Sequence, residues 1–177
     1  MNIRQLFSFL SAIFCISFFS AQGNYNTLVY KGNQEFNKKN YESSSSKYME
    51  AVKIKENDFT AHYNLGNSLY KRKMYDEAKA EYEKAELHAN SLSDKAAALY
   101  NLGNSHIEKN DSKKAAEYYK RALKQDPYNE AIRKNYEIAM LKEKEKENQK
   151  KQQGKSDGGG KDQSKDQNKG EDKGNTP

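Results

Sequence analysis

The sequence predicts an all-α protein: an α-solenoid of three helix-turn-helix repeats with a capping helix, followed by a disordered tail. Three observations support this fold class. A six-residue segment that starts at Tyr63 recurs unchanged at Tyr100. Glycines recur at one phase, with spacings of 34 and 37 residues. No large apolar residue follows Leu141. Repeats of this length are typical of stacked helical hairpins.

The first helix of each repeat is marked by a glycine. The repeated segment reads Tyr-Asn-Leu-Gly-Asn-Ser, with a weaker copy at Tyr30, and its glycines are Gly32, Gly66 and Gly103. A glycine inside a helix costs about 1 kcal/mol relative to alanine. Recurrence at one phase therefore predicts that a second helix approaches closely there and that a Cβ would clash.

The second helix of each repeat carries a small residue, an aromatic residue and another small residue, at relative positions 0, 4 and 7. These positions share one helix face, which is predicted to pack on the helix with the glycine. The three sets are Ser44, Tyr48 and Ala51; Ala78, Tyr82 and Ala85; and Ala115, Tyr119 and Ala122, with Pro127 after the last.

This pattern resembles the tetratricopeptide repeat (TPR), with its Leu-Gly pair and its later alanine, aromatic, alanine and proline positions. In the first copy, Lys31 replaces the leucine and Ser43–Ser46 is a poor helix former, so this repeat is predicted to be the least stable. The segment Ser91–Lys95, which carries a surplus of three residues, is placed in a connecting turn, with Ser93 or Asp94 capping the next helix. The predicted repeats span 25–58, 59–90 and 96–129, with a capping helix over 130–146.

Both ends of the chain are predicted to lie outside the repeats. Residues 1–22 read as an export signal, because Arg4 precedes an apolar run that is too short to span a bilayer. Cleavage near Ala21 is expected, and an uncleaved N-terminal anchor is the alternative. The polar segment 147–177 cannot offset an ordering cost of about 1–2 kcal/mol per residue. It is predicted to be disordered, as a solubilising tail or a flexible tether.

Little in the sequence indicates catalysis. The only cysteine, Cys15, lies in the export signal, without the small residues before it that lipidation requires. No histidine pair has metal-ligand spacing, and the glycine run at 158–160 precedes no helix. We therefore predict no enzyme, no cofactor and no metal site. The histidines are interpreted as structural and one set of helix carboxylates as solvated, namely His62, His88 and His106, and Glu81, Glu83 and Glu86.

The net charge of +6 is spread over interleaved acidic and basic residues. Phosphate binding needs a concentrated basic face, so no nucleic-acid partner is predicted.

Asparagine is the polar residue that recurs at fixed repeat positions. In the family that the chain resembles, the first helices line a concave groove, and residues three apart share a helix face. A carboxamide both donates and accepts, so a ladder of asparagines could bind the backbone of an extended peptide. The alternative is that these residues only tie one repeat to the next. The predicted groove residues are Asn33, Asn64, Asn67, Asn101, Asn104 and Asn135, with Tyr63 and Tyr100 beside them.

Some members of this family grip a C-terminal carboxylate with two asparagines and several cationic side chains. Asn33 and Asn64 match these asparagines, but Val29, Ala97 and Asn101 stand where the cations would be. A carboxylate would lack charge-assisted partners here. Binding of chaperone tails is therefore not predicted.

The export signal, the short array and the Lys-Gln-Asp-Gly tail together resemble the BatC-type repeat proteins of bacterial aerotolerance (Bat) operons. The resemblance implies a periplasmic protein-protein interaction scaffold or adaptor that serves stress tolerance. It also implies a von Willebrand factor A-domain protein of the same operon as partner. Membrane contact is expected only if the N-terminal segment stays uncleaved, which would favour a structural envelope protein instead.

Overall fold

A computed structural model describes residues 23–157. The predicted export signal and residues 158–177 of the predicted tail lie outside the described residues. Over the described range the protein consists of seven α-helices without a strand, so the predicted all-α solenoid is confirmed. The helices are α1 (residues 23–37), α2 (Tyr41–Ile54), α3 (Phe59–Lys71), α4 (Tyr75–Leu87), α5 (Leu92–Glu108), α6 (Ser112–Gln125) and α7 (Glu130–Asp157).

The chain divides into two compact units, with the boundary between Met140 and Leu141. The first unit contains the repeats. Its helices follow one another as hairpins, and α2 packs on α3, α3 on α4, α4 on α5 and α5 on α6. Residues 23–157 include no helix with both the length and the apolar character that a membrane span requires.

Each hairpin closes where its glycine meets the tyrosine of the second helix. A Cβ added to Gly32 or Gly66 would lie 2.7 Å from a ring carbon of Tyr48 or Tyr82. At Gly103 the distance to the ring of the third-repeat tyrosine would be 2.4 Å. Real Cβ atoms essentially never approach another atom this closely, so the close helix contact inferred from the glycine phase is present.

The core of the first unit is built around three tyrosines. Tyr48, Tyr82 and Tyr119 are only 1–2 % exposed. Their hydroxyls donate to the carboxamide oxygens of the asparagines that directly follow the repeat glycines, so the rings are buried without an unpaired polar atom. The small positions around them are all fully buried, namely Ser44, Ala51, Ala78, Ala85, Ala115 and Ala122.

The turn inside each hairpin has the same backbone form. Lys39, Lys73 and Asn110 occupy equivalent repeat positions and adopt φ values of 62°, 63° and 58°. In the second repeat, the Met74 N–H donates to the Leu69 carbonyl at 3.0 Å. This bond and its equivalents are those of a Schellman motif, in which a left-handed residue ends the helix. Pro127 lies between α6 and α7 and is exposed.

The connection between the second and third repeats differs from the prediction. Helix α5 begins at Leu92, and the Ser91 side chain caps it by accepting from the Asp94 N–H at 3.0 Å. The predicted caps Ser93 and Asp94 and the predicted turn over Ser91–Lys95 are therefore wrong. The surplus residues instead extend α5, which has 17 residues, whereas the equivalent helix α3 has 13.

Helix α7 continues to Asp157, beyond the predicted end of the capping helix at Lys146. Residues 147–157, which the sequence analysis assigned to the disordered tail, are thus helical in this structure. Lysine, glutamate and glutamine are good helix formers, and they extend the helix although residues 147–153 are all exposed. The low apolar content excluded a core over these residues but did not exclude a helix.

The serine-rich segment of the first repeat is helical in spite of its low helix propensity. Ser44 and Ser45 are buried in α2. The Ser44 hydroxyl donates to the Gly32 carbonyl at 3.0 Å and lies 2.9 Å from the hydroxyl of Ser68 in α3. Packing and hydrogen bonding thus override local propensity here.

Candidate peptide-binding surface

The repeated asparagines occupy two kinds of position on the first helix of each repeat. The post-glycine asparagines, directly after the repeat glycine, are Asn33, Asn67 and Asn104. The pre-glycine asparagines stand two residues before it, or at the matching place in α7, and are Asn64, Asn101 and Asn135. We call the surface that carries both sets on α1, α3, α5 and α7 the first-helix face.

Three junctions join consecutive helices of the first-helix face: α1 with α3, α3 with α5, and α5 with α7. Asparagine pairs tie the second and the third of these junctions. The Asn101 amide donates to Asn67 Oδ1 at 3.0 Å, and the Asn135 amide donates to Asn104 Oδ1 at 3.1 Å. Both acceptor oxygens also receive a buried tyrosine hydroxyl. The tying role that the sequence left open therefore accounts for these four asparagines.

The predicted contact tyrosines belong partly to the core. Tyr63 and Tyr100 are half-buried, with ring centroids 6.0 Å from Tyr82 and 5.7 Å from Tyr119, respectively. Tyr100 also accepts a hydrogen bond from the Asn135 amide at 3.0 Å. Burial raises the pKa of Tyr63, although neighbouring carboxamides oppose the shift. These rings therefore offer a ligand less free surface than the sequence pattern suggested.

The first junction has no such tie. Asn33 accepts from its own repeat's tyrosine, but it does not bond to the pre-glycine Asn64. Within residues 23–153, the side chains of Asn64 and Asn37 have no hydrogen-bond partner. A hollow of about 250 Å³ opens at this place, and we call it the first hollow. Its lining residues are Asn33, Phe36, Asn37, Tyr48, Asn64 and Asn67.

A second hollow of about 120 Å³ lies further along the same face. Both carboxylate oxygens of Glu108 accept tyrosine hydroxyls there, from Tyr70 at 3.3 Å and from Tyr75 at 3.1 Å. This second hollow is lined by Tyr70, Asn104, Ile107, Glu108, Tyr119, Asn135 and Ile138.

The sequence reasoning missed Asn37 and Glu108, although a signal was present. Asn37 follows Asn33 by four residues, and Glu108 follows Asn104 by four. Residues four apart lie on the same face of a helix. Extending each predicted ladder by one helical turn would have included both side chains.

His62 forms a structural link inside the second repeat. Its Nδ1 lies 2.6 Å from a carboxylate oxygen of Glu81, and its Nε2 lies 2.7 Å from the Glu56 carbonyl oxygen. Burial alone would lower the pKa of His62, but these bonds outweigh it and leave the pKa raised. The pKa of Glu81 is lowered, since the bonds to His62 and Lys84 outweigh its burial. The Glu81 side chain is 14 % exposed and bonded to His62, so the interpretation of Glu81 as a solvated carboxylate is wrong.

The other histidines show no ligand geometry. His88 stacks on His62 with centroids 6.2 Å apart, and His106 stacks on Tyr118 at 5.2 Å. Burial is the main cause of the lowered pKa of His106. Over the part of the chain that the structure describes, no three His, Cys, Asp or Glu side chains are placed to hold a metal ion.

A third hollow of about 290 Å³ lies among α4, α5 and α6. It mixes cations and carboxylates, and two of the cations are already paired: Lys79 with Asp76 at 2.9 Å and Arg121 with Glu86 at 2.6 Å. This mixture offers no single class of ligand a complementary surface. Its lining residues are Lys79, Glu83, His106, Lys114, Glu117, Tyr118 and Arg121.

Two family models match the chain. One, described as tetratricopeptide repeat, matches residues 57–127, and another, described as TPR repeat, matches residues 32–73. Together they extend from α1 to the end of α6. No curated protein matches the chain at a significant level.

Several solved structures share the fold. The TPR domain of Arabidopsis OM64 is 20 % identical, with a TM-score of 0.62 over 67 % of this chain and 96 % of that chain. The N-terminal domain of stress-induced protein-1 from C. elegans is 18 % identical, with a TM-score of 0.62 over 68 % and 97 %. The second TPR domain of human RPAP3, in complex with the HSP70 peptide SGPTIEEVD, is 17 % identical, with a TM-score of 0.63 over 68 % and 98 %. Identities this low establish a common fold only.

Proposed function

Because this chain is a tetratricopeptide-repeat protein, we propose that it is a non-enzymatic scaffold that binds an extended peptide segment of a partner protein. The peptide binds on the first-helix face, at the first hollow. One observation carries this proposal. Asparagine pairs tie the second and third junctions, whereas at the first junction the equivalent amides are unpaired and a hollow of about 250 Å³ replaces the tie.

The unpaired amides suit a peptide backbone. Asn37 and Asn64 each offer donors and an acceptor. The side-chain oxygen of Asn33 accepts the Tyr48 hydroxyl, and its amino group remains able to donate. An extended backbone presents N–H and C=O groups in alternation, so it can satisfy these amides whatever its side chains are. Phe36 adds an apolar contact at the wall of the hollow. Backbone groups of a peptide can therefore replace the hydrogen bonds that these amides make to solvent.

We do not propose the ligand of the RPAP3 domain for this chain. That domain was solved with the HSP70 peptide SGPTIEEVD, which carries three acidic residues among its last four. Here Val29 and Ala97 stand where the family's carboxylate clamp has cations, and Asn101 is bonded to Asn67. A peptide carboxylate would find no charge-assisted partner at these positions.

A random peptide library tests the proposal. The full-length chain should select peptides that the double variant Asn37→Ala/Asn64→Ala binds about 5- to 150-fold more weakly, since each lost hydrogen bond contributes roughly 0.5–1.5 kcal/mol. The double variant Asn57→Ala/Asn90→Ala is the matched control, because it removes two exposed turn amides outside the hollow. Unfolding in urea should be unchanged in both. Equal peptide affinity for the wild type and the hollow variant would refute the site.

We further propose that the protein works in the bacterial cell envelope, as an adaptor in a Bat-type aerotolerance complex. Its support is the N-terminal segment 1–22, the short array and the polar tail, and the partner expected is a von Willebrand factor A-domain protein. Mass spectrometry of the protein isolated from cells tests export: an N-terminus after Ala21 or Gln22 supports it. Retention of residues 1–21 would favour the alternative, a structural envelope protein held at the membrane. Failure of a purified von Willebrand factor A-domain protein to bind would remove that partner.

A further inference from the structure

We propose that the second hollow binds the cationic side chain of a lysine or arginine in the same peptide, a specificity that rests on the proposed function. The hollow joins an exposed carboxylate, an aromatic ring and two aliphatic side chains. These features come from three helices of the first-helix face, and they meet about one repeat beyond the first hollow.

Glu108 has acceptor capacity that the protein does not use. Its two oxygens accept the hydroxyls of Tyr70 and Tyr75, one each. An ionised carboxylate has about four acceptor sites, so about two remain for a ligand. The tyrosine rings meet edge to face at 5.4 Å, and their hydroxyls hold the carboxylate in place. A cation would therefore meet a positioned carboxylate and would not need to order a mobile one.

The neighbouring cation does not neutralise this carboxylate. The adjacent Lys109 pairs instead with Asp76 at 2.8 Å, and Glu108 is held by the hydroxyls of Tyr70 and Tyr75. Glu108 is also the last residue of α5, where the helix dipole is negative. A carboxylate at that end does not stabilise the helix, so helix stability does not explain its presence.

The electrostatics of the neighbouring hydroxyls agree with a local negative field. Burial, followed by the charge of Glu108, raises the pKa of Tyr70 to about 12. The pKa of Tyr75 is raised as well, in part by the same carboxylate. A field that disfavours a tyrosinate favours an ammonium or guanidinium group at the same place.

The shape of the hollow suits a long side chain with a charged end. A volume of about 120 Å³ far exceeds the roughly 10–15 Å³ needed for one water. Ile107 and Ile138 can contact the methylene stem, which lysine and arginine bury readily. The charged end then reaches Glu108 and the ring of Tyr70, where a carboxylate contact and a cation–π contact add together.

The positive net charge of the chain helps to distinguish a local preference for basic residues from non-specific electrostatic attraction. The net charge is +6, so the protein as a whole repels basic peptides. Enrichment of a basic residue in bound peptides would therefore have a local origin. An acidic side chain at the same place would face Glu108 directly.

Selection from the random peptide library, followed by a double-mutant cycle, tests the inference on the full chain. Wild-type protein should select peptides that share a Lys or Arg at one position. Changing that residue to Gln should weaken binding by roughly three- to thirtyfold. In Glu108→Gln, which keeps an acceptor for the tyrosine hydroxyls, the basic and neutral peptides should bind equally. Glu117→Gln removes the same charge from the third hollow and should leave the preference intact.

The possible outcomes separate the two proposals. Peptides selected without a shared basic position would overturn this inference and leave peptide binding standing. The same holds if the basic preference persists in Glu108→Gln. If the wild type selects no peptide from the library, the proposed function fails and this specificity fails with it.

Discussion

Replacing Gly103 with alanine tests the contact on which the repeat stack depends. The new Cβ would lie 2.4 Å from a ring carbon of Tyr119, a ring that is 1 % exposed and bonded to Asn104 at 2.7 Å. Alanine gains about 1 kcal/mol of helix propensity. Overpacking costs about 1–3 kcal/mol, and displacement of the tyrosine hydroxyl costs about 0.5–1.5 kcal/mol more. The net expectation is a loss of about 0.5–3.5 kcal/mol in the free energy of unfolding.

The assay is urea unfolding followed by far-ultraviolet circular dichroism, with Gly23→Ala as the control. Nothing lies within 4 Å of a Cβ at Gly23, so that variant should differ from the wild type by at most about 0.5 kcal/mol. Near-ultraviolet circular dichroism should report a changed tyrosine environment in Gly103→Ala alone. If Gly103→Ala proves as stable as the wild type, the glycine is not required for the helix contact, and the basis of the repeat interpretation is lost.

Two further predictions concern polar links inside the stack. The pKa of His62 is raised in the folded state, so its pair with Glu81 stabilises fully below the unfolded value of 6.5, and this contribution disappears as pH rises through the folded value. The destabilisation by His62→Gln in urea should therefore be larger at about pH 6 than at about pH 8, and equal effects at the two pH values would contradict a stabilising His62–Glu81 pair. Asn101→Ala removes the bond to Asn67 and should cost about 1–2 kcal/mol, whereas Asn64→Ala should cost less than about 0.5 kcal/mol. Equal losses for the two variants would mean that the asparagine tie does not stabilise the junction.

The helical hairpins could be predicted because their packing imposes a strict pattern on the sequence. A glycine, a small residue and a tyrosine must recur together if a buried ring is to lie against a bare helix backbone. Gly66 and Tyr82 show the contact, with 2.7 Å between the added Cβ and the ring. Few alternative structures place a glycine in the middle of a helix at a regular spacing, since each such residue is unfavourable unless packing requires it.

Helix ends were less predictable, because several residues compete for the same role. The N-cap position of α5 could be filled by Ser91, Ser93 or Asp94, since all three are favourable N-cap residues. Which residue caps the helix depends on where the preceding turn ends. The extension of α7 to Asp157 likewise depends on many small propensities and on no single contact. The composition of the last part of α7 showed that it cannot form a hydrophobic core, but it did not show whether the segment forms an exposed helix.

The roles of the asparagines could not be separated from the sequence at all. Asn64 and Asn101 stand at the same repeat position and in identical hexapeptides. Yet Asn101 is bonded across a junction, and Asn64 lines an open hollow. The difference arises because Asn101 reaches Asn67 on the first helix of the preceding repeat, whereas Asn64 forms no such bond to Asn33. Glu108 was missed because its role depends on contacts with Tyr70 in α3 and Tyr75 in α4. These residues come together with Glu108 only in the folded chain.

The first repeat explains why its junction can remain open. Where the other repeats have alanine, it has Ser44, whose hydroxyl lies 2.9 Å from that of Ser68 across the junction. Arg72 adds a bond to Ser45 at 2.9 Å. Hydroxyl groups thus hold α2 against α3 at the junction that lacks an asparagine pair. The serines that look unfavourable for a helix therefore contribute polar contacts beside the place where the amide of Asn64 is unpaired and where we propose that a ligand binds.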